Sequence, residues 1–335
     1  MFPPPAQDAA EDARFHAVFR AKTGDRPATF AEFMDLALYH PELGYYRRAR
    51  QRVGLTPAAD FYTATSTGTV FGELIAAAAE KLLHPAAARD HTFVEIGAEP
   101  GGSVLEGIAH PFRESRTCRL GDAHELAGDC VVFSNELFDA QPFHRLVRRG
   151  TEWRELGVAL NDDHLVEQEL PALSPPVAAV AADLPVSAPE GYRLDLPLAA
   201  TELCAQLAQA PWRGLFLAFD YGKTWHALTT DTPSGTARAY RSHRQVRDLL
   251  ADPGRQDLTC HVCWDWLERT LATAGFGALR LESQESFLIR HAGAVAAQIT
   301  AAAAPGPDLR RSRLHELLHP GLLGQRFQVL HGIRR

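Results

Sequence analysis

A short apolar run that ends in a group of polar side chains constrains the fold of this chain more than any other feature. Residues 131–142 read VVFSNELFDAQP, in which a segment of strand character delivers Asn135, Glu136 and Asp139 onto a turn that ends at Pro142. Open α/β sheets place their chemistry in the crevice outside the carboxyl ends of their strands. The segment is therefore a candidate functional site, although Asn and Asp also form ordinary turns for local reasons.

Apolar patterns divide the chain into segments of different character. Residues 1–90 predict a mostly helical leader, because FAEFMDLALYH and GELIAAAAEKLL combine helical spacing with strong helix formers. Residues 91–142 and 213–290 supply strand candidates with helices between them, which predicts an α/β core. Residues 143–212, dense in Pro and Ala, predict an inserted irregular or β region for substrate or partner, and residues 291–335 predict a C-terminal helical segment and tail.

Composition and charge restrict the class of protein. With 335 residues, of which 46% are hydrophobic and 22% charged, the chain can bury a substantial core in one large domain or in two. The net charge of −7 argues against a general nucleic-acid binder, whose affinity rests on neutralising phosphates. The chain lacks both an apolar stretch long enough to span a bilayer and the features of a secretory signal. We therefore expect a cytoplasmic protein without a membrane span, and the oligomeric state stays open.

The five cysteines are scattered along the chain, so we expect free thiols and not a disulfide framework. Cys260 and Cys263 have the spacing of half a zinc site, but no second cysteine pair completes it. Their segment, DLTCHVCWDW, has the alternation of a strand. The sequence therefore predicts no metal ligands.

A glycine-rich turn follows the first strand candidate of the core. The segment FVEIGAEPGG has the order of a strand that runs into such a turn, and glycine lets a backbone approach a ligand that a β-carbon would exclude. The spacing is not the dinucleotide fingerprint, because Glu99 stands where that pattern requires glycine. An NAD-dependent oxidoreductase is therefore disfavoured. The candidate cofactor residues of this segment are Glu95, Gly97, Gly101 and Gly102.

Separated blocks along the chain match one family in order. They are LYHPE at 38–42, GYY at 44–46, DF at 60–61, FGEL at 71–74, NELFDA at 135–140, FDYG at 219–222, GTARAY at 235–240, DLT at 257–259, HV at 261–262, LHP at 318–320 and FQVL at 327–330. Together they resemble the MidA family of class I S-adenosylmethionine-dependent methyltransferases, whose mitochondrial members act in assembly of respiratory complex I. The resemblance implies an α/β fold with a Rossmann-like sheet and helices on both faces, S-adenosylmethionine as cofactor, and a protein as substrate.

The resemblance also suggests further cofactor contacts. Asp60 lies in a segment that closes over the cofactor in the family, and Asn135 is expected beside the cofactor. Asp220 ends the apolar strand LFLAFDYG, where either a cofactor contact or a turn cap would suit it. The acid that grips the ribose hydroxyls is expected to be Asp122 or Glu114, and the sequence does not decide between them.

The methyl acceptor of the mitochondrial relatives is an arginine, which points to carboxylates as its partners. A guanidinium stays protonated in a protein and forms bidentate pairs with carboxylates. Glu136 and Asp139 are therefore predicted to hold the acceptor with one nitrogen directed at the methyl group, and Asn135 is predicted to assist them.

Two departures from the family pattern favour a different function. The family turn reads glycine-proline-glycine-arginine-glycine, whereas Ala98, Glu99 and Pro100 occupy its centre here. The stretch from Gly107 to Cys130 is also short for the second and third strands of a class I fold. The alternative is a catalytically inactive methyltransferase-like scaffold that acts as an assembly or interaction factor. The polar turn after the apolar run favours the enzyme.

Overall fold

The structure, a computed structural model, describes residues 6–48, 68–241, 244–302 and 308–335. Contacts group these residues into two compact units, each made of three stretches of chain. Unit 1 comprises the described residues within Met1–Phe61, Asp139–Ala200 and Lys223–Cys263. Unit 2 comprises those within Tyr62–Phe138, Thr201–Gly222 and Trp264–Arg335. This grouping follows tertiary contacts, so it assigns parts of the expected helical leader to both units.

Helices and strands both occur throughout the described residues, and two runs of consecutive strands, from β2 to β7 and from β11 to β14, contain no α-helix. The α-helices are α1 (Ala6–Thr23), α2 (Phe30–Tyr39), α3 (Thr69–Leu83), α4 (Pro175–Ala179), α5 (Leu198–Gln209), α6 (Trp225–Thr230), α7 (Trp264–Thr273), α8 (Gln284–Ala301) and α9 (Leu309–Leu318). The strands are β1 (Ala28–Thr29), β2 (Thr92–Ile96), β3 (Glu114–Cys118), β4 (Gly128–Asn135), β5 (His144–Arg149), β6 (Glu152–Asn161), β7 (His164–Glu169), β8 (Arg193–Leu196), β9 (Trp212–Asp220), β10 (Gly222–Lys223), β11 (Arg238–Arg241), β12 (Arg244–Val246), β13 (Asp257–Thr259), β14 (Val262–Cys263), β15 (Gly277–Ser283) and β16 (Gln328–Arg334). None of the described helices combines the length and apolar character needed to cross a membrane.

Unit 2 is built on a six-stranded sheet in the order β15-β16-β9-β4-β2-β3. Strands β3, β2, β4 and β9 are parallel, and β16 runs antiparallel to both of its neighbours. Residues 119–127 form no strand, so β3 leads directly to β4. The short stretch noted in the sequence thus accommodates one edge strand and not two.

Helices cover the sheet of unit 2 because alternate residues of its strands are apolar on both faces. On one face, Phe219 of β9 packs edge to face against Phe71 of α3 and Phe287 of α8, each with ring centroids 5.4 Å apart. Phe216, also on β9, belongs to the other face of the sheet. Its ring centroid lies 6.2 Å from that of Phe276, which follows α7. The expected fold class, an α/β sheet with helices around it, is confirmed.

Unit 1 contains an antiparallel sheet in the order β1-β6-β5-β8, with β7 also paired to β6. Helix α2 begins with a capping box, in which Thr29 Oγ1 accepts the Glu32 N–H at 3.0 Å and Glu32 Oε2 accepts the Thr29 N–H at 2.7 Å. Buried Arg145 donates to Asp195 and Glu167 at 3.0 Å each, which ties β5 to β8 and β7. Residues 143–212, expected to be irregular or β, thus contain a regular sheet.

Candidate functional site

The carboxyl ends of the parallel strands in unit 2 meet at one edge of the sheet. Ile96 at the end of β2 pairs with Cys118 of β3 and with Ser134 of β4, and Asn135 pairs with Phe219 of β9. The residues that follow these strands therefore come together, although they are far apart in the sequence. They include the glycine turn after β2 and the polar turn after β4. This edge is where open α/β sheets bind their ligands.

The glycine turn after β2 leaves open space in front of its second half. Gly97 and Gly101 both have φ of +79°, a left-handed conformation that glycine adopts without strain. A β-carbon at Gly97 would come within 2.8 Å of Leu137 Cδ1. A β-carbon at Gly101 or Gly102 would have no atom of the described residues within 4 Å. The open side of the turn thus lies at Gly101 and Gly102, while Gly97 is needed for packing against Leu137.

Glu95 holds the far end of this turn. Its Oε2 accepts hydrogen bonds from Ser103 Oγ at 2.9 Å and from the Val104 N–H at 2.8 Å. The side chain is buried, and burial raises the pKa of Glu95 while the bonds from Val104 and Ser103 oppose the rise. These contacts give Glu95 a structural role in shaping the turn. A direct contact to the cofactor stays a prediction.

The two candidates for the acid that binds the ribose hydroxyls lie at opposite ends of β3. Glu114 is the first residue of β3, and its Oε1 accepts from Thr92 Oγ1 at 3.1 Å. It therefore lies at the opposite edge of the sheet from the glycine turn. Asp122 follows the carboxyl end of β3, is exposed, and accepts the Arg119 N–H at 2.8 Å. Of the two acids, only Asp122 lies at the ligand-binding edge.

Arg119, the first residue after β3, is a part of this edge that the sequence analysis missed. Its guanidinium donates to the carbonyl oxygen of Gly102 at 3.4 Å, so a positive charge lies beside the open side of the glycine turn. The sequence position of Arg119 could have identified it, since residues directly after a parallel strand lie at the carboxyl end of the sheet. It was missed because only carboxylates were considered as partners of the ribose.

Glu136 occupies an unusual conformation at the end of β4. Its φ of 51° is left-handed, a region that non-glycine residues enter at a cost of about 1 kcal/mol or more. The Glu136 N–H donates to the carbonyl oxygen of Phe219 at 2.9 Å, and Asn135 Nδ2 donates to Glu136 Oε1 at 3.1 Å. These bonds hold a partly exposed carboxylate at the edge of the sheet.

Asp220, at the end of β9, fixes the turn that carries Glu136. Its Oδ2 accepts the Phe138 N–H and its Oδ1 accepts the Tyr221 N–H, both at 2.8 Å. The side chain is fully buried. The turn-capping role, one of the two that the sequence left open for Asp220, is the role that these bonds show.

Four further positions singled out in the sequence belong to unit 1 or lie outside the described residues. Asp139 begins a stretch of unit 1, where its side chain is buried and its carbonyl oxygen accepts the Cys260 N–H at 3.0 Å. Asp60 lies outside the residues that the structure describes. Cys260 and Cys263 are buried free thiols.

Comparisons with known proteins identify the family and the fold to which this chain is similar. A family profile described as "Putative S-adenosyl-L-methionine-dependent methyltransferase" matches residues 103–281. A protein of Danio rerio named "Protein arginine methyltransferase NDUFAF7, mitochondrial" is 24% identical over 361 residues, covering 90% of this chain and 82% of its own length. The human protein of that name is 23% identical, and the match covers 96% of this chain and 83% of the human protein.

The fold is also found in a crystal structure from Burkholderia thailandensis. That protein, crystallised with S-adenosyl-homocysteine bound, has a TM-score of 0.86 to this chain at 23% identity, and the match covers 100% of this chain and 95% of that one. At this identity the match shows a common fold, which confirms the class I methyltransferase architecture expected from the sequence.

The expected cytoplasmic location is corrected by the same comparisons. The relatives from Danio rerio, Xenopus laevis and human are all named as mitochondrial. The prediction was wrong because it rested on the lack of a membrane span and of a secretory signal. Neither property distinguishes the cytoplasm from the mitochondrion.

The family profile covers more than half of the chain. It begins directly after the last glycine of the glycine turn and includes the whole of β3, β4 and β9 and the polar turn that follows β4. The sheet edge described above carries a glycine turn and a polar strand end, at the place where open α/β sheets bind ligands. The chain belongs to this family of S-adenosyl-L-methionine-dependent methyltransferases.

Proposed function

We propose that this methyltransferase transfers the methyl group of S-adenosylmethionine to an arginine side chain of a protein. The observation that carries the proposal is the Glu136 carboxylate, held in a left-handed conformation at the ligand edge of the sheet. The relatives named as protein arginine methyltransferases support the choice of acceptor. A guanidinium pairs best with a carboxylate, so Glu136 suits that acceptor.

We place the cofactor against the open side of the glycine turn, at Gly101 and Gly102. S-adenosylmethionine carries no phosphate, so the carboxylate of Glu99 in this turn does not oppose its binding. Asp122 is the proposed partner of the ribose hydroxyls because it follows β3 at the same edge. Asn135 and the segment around Asp60 are the further proposed contacts.

The residues of the edge then have defined tasks in catalysis. When bound, S-adenosylmethionine supplies a methyl group that its sulfonium has already activated. Glu136 pairs with the acceptor guanidinium, holds one nitrogen in line with the methyl group, and accepts hydrogen bonds from the nitrogens that do not react. Asp139 is the second carboxylate proposed for the acceptor. As the new nitrogen–carbon bond forms, the bond between the methyl group and the sulfonium would break and release S-adenosylhomocysteine, and the reacting nitrogen would lose one proton to water. The Glu136 carboxylate would stabilise the single positive charge that remains on the methylated guanidinium.

The test compares Glu136→Gln with Glu114→Gln in a labelled-methyl assay against protein extracts. Gln nearly preserves the shape of Glu136 but removes its charge, so methyl transfer should fall by about 100-fold while cofactor affinity changes by less than about threefold. Glu114 lies at the opposite edge of the same sheet, so its replacement should leave transfer unchanged. Cofactor binding is measured by calorimetry for each protein.

Equal labelling by the wild type and Glu136→Gln would remove Glu136 from the mechanism. Cofactor binding by the wild type without labelling of any protein would favour the non-catalytic scaffold. Labelling of a residue other than arginine, identified by mass spectrometry, would contradict the proposed acceptor and keep the methyltransferase activity.

A further inference from the structure

Three side chains of types that often bind metal ions meet in unit 2. The proposed methyl transfer assigns them no role. Glu282 lies on β15, His331 on β16 and His291 on α8. The Nε2 atoms of His291 and His331 each lie 3.2 Å from Oε1 of Glu282. All three ligand atoms lie within 4.8 Å of one another. Such a set, two imidazole nitrogens and one carboxylate oxygen, is a frequent ligand set for zinc and related ions.

The fold explains why these residues meet. In the antiparallel pair of β15 and β16, Glu282 is opposite Val329 and Arg280 is opposite His331, so Glu282 and His331 are diagonal neighbours on one face. Helix α8 follows β15 directly. Its backbone departs from helical geometry at Ala292, the residue after His291.

Two of the three distances between the ligand atoms suit an ion bound by them. Zinc binds imidazole nitrogen and carboxylate oxygen at about 2.0–2.2 Å, so two such ligands at a tetrahedral angle are about 3.4 Å apart. The two separations of 3.2 Å between imidazole and carboxylate are close to this value. The Glu282, His291 and His331 side chains are only 9%, 11% and 4% exposed, which limits competition from water.

The surroundings orient the ligands. Arg290 Nε donates to Glu282 Oε2 at 2.9 Å and Ser286 Oγ donates to the same oxygen at 3.3 Å, so Oε1 faces the two imidazoles. Outer bonds of this kind hold ligands in position in metal proteins. The ring of Phe287 packs against His291 and His331, with centroids 4.9 and 5.4 Å apart, and forms an apolar wall.

The local charges select the class of ion. Arg290 pairs with Glu282, and the positive charge of Lys81 acts on His291. These cations disfavour an ion that is held by charge alone, such as calcium or magnesium, which prefer several oxygen ligands. Coordination by imidazole nitrogen must supply the affinity, and that requirement favours zinc and its transition-metal neighbours.

We propose that Glu282, His291 and His331 bind one divalent transition-metal ion of the zinc class. Water completes the coordination, and the ion ties α8 to the two strands at the end of the sheet. The sequence analysis expected no metal because it weighed the cysteine pair alone. Positions 282, 291 and 331 have no motif spacing, so only the fold brings them together.

The test is metal binding by the full chain after chelator treatment and dialysis. Zinc in a calorimeter should bind at one ion per chain with a Kd of about 1 µM or below. Cobalt should give the visible absorption of an ion bound by nitrogen and oxygen. His291→Ala and Glu282→Gln should each weaken zinc by about 100-fold or more. The matched control is His315→Ala, since His315 is exposed on α9 and its ring lies 4.8 Å from that of His319.

Two results would overturn this proposal. One is the lack of binding by the wild type at about 100 µM zinc. The other is zinc affinity that His291→Ala and Glu282→Gln leave unchanged or that His315→Ala abolishes, which would mean adventitious binding by surface histidines. Circular dichroism checks that each variant is folded, and His291→Asn is the substitute if the alanine variant is not.

Discussion

At the scale of single residues, backbone conformation marks the candidate site. Glu136 keeps its left-handed φ because its N–H is bonded to Phe219 and its side chain to Asn135. Strain of this kind persists only where neighbouring bonds over-determine it, and it concentrates at functional sites. Gly101 has a φ of +79° without strain, and the space in front of it is open. The two positions thus combine a fixed carboxylate with room for a ligand.

Gly101→Ala tests whether that room belongs to the cofactor. The β-carbon would enter the open space, so we expect affinity for S-adenosylmethionine to fall by more than about tenfold, or roughly 1.4 kcal/mol. Gly191→Ala is the control, because Gly191 also has a positive φ, of 76°, and no described atom near its missing β-carbon. Both variants should lose about 1 kcal/mol of stability from backbone strain, and only Gly101→Ala should lose affinity. Equal affinities in calorimetry would exclude the turn as the cofactor site.

At the scale of elements, buried carboxylates join the ends of strands to the turns that follow them. Glu95 on β2 accepts from Ser103 and Val104, and Asp220 on β9 accepts from Phe138 and Tyr221. Glu95 thereby pairs with one backbone N–H and one hydroxyl, and Asp220 pairs with two backbone N–H groups. Buried backbone N–H groups of a turn would otherwise lack a partner. These bonds attach the turns of the candidate site to the strands of the sheet.

Asp220→Asn tests whether the hydrogen bonds of Asp220 at the end of β9 stabilise the polar turn. The amide nitrogen of Asn would face a backbone N–H, so we expect a loss of about 2–3 kcal/mol in the free energy of unfolding. Asp129→Asn is the control: Asp129 lies on β4 in the same sheet and pairs with exposed Arg213 at 2.6 Å. Its replacement should cost less than about 1 kcal/mol. Urea denaturation measures both, and equal losses would show that the Asp220 bonds do not hold the turn.

At the scale of the whole molecule, stability depends on groups that burial keeps in one protonation state. Burial lowers the pKa of His261 in unit 1 to about 4, and Lys223 and Arg238 add to the effect. The neutral form is therefore favoured in the fold, whereas the unfolded chain takes up a proton near a pKa of 6.5. The contribution of neutral His261 to the free energy of unfolding is therefore complete above pH 6.5 and is lost as the pH falls towards 4.

His261→Gln should reduce the loss of stability between pH 7 and pH 5. Gln carries no proton in this range, so the urea midpoint of the variant should change less with pH than that of the wild type. His226→Gln, at an exposed position of α6, should retain the wild-type pH dependence. If His261→Gln and the wild type lose stability in parallel, protonation of His261 does not contribute to acid destabilisation.

Local patterns were sufficient for the parts of the molecule that depend on neighbouring residues. The apolar run before Asn135 became β4, the segment FVEIG became β2, and the glycines after it formed a turn with left-handed residues. Strand character, turn residues and glycine positions are properties of short stretches of chain. The sequence by itself therefore determined the fold class, the glycine turn and the position of Glu136 at a strand end.

Only the tertiary structure decided which distant residues meet. It pairs the Asp220 carboxylate with the Phe138 N–H and brings Arg119 beside Gly102. It also places Glu114 at the end of the sheet opposite to the glycine turn. It also brought Glu282, His291 and His331 together. The physical reason is strand pairing: β16 inserts between β9 and β15 by backbone bonds between residues more than 40 positions apart. Such pairings depend on the whole packed sheet, and no short stretch of sequence specifies them.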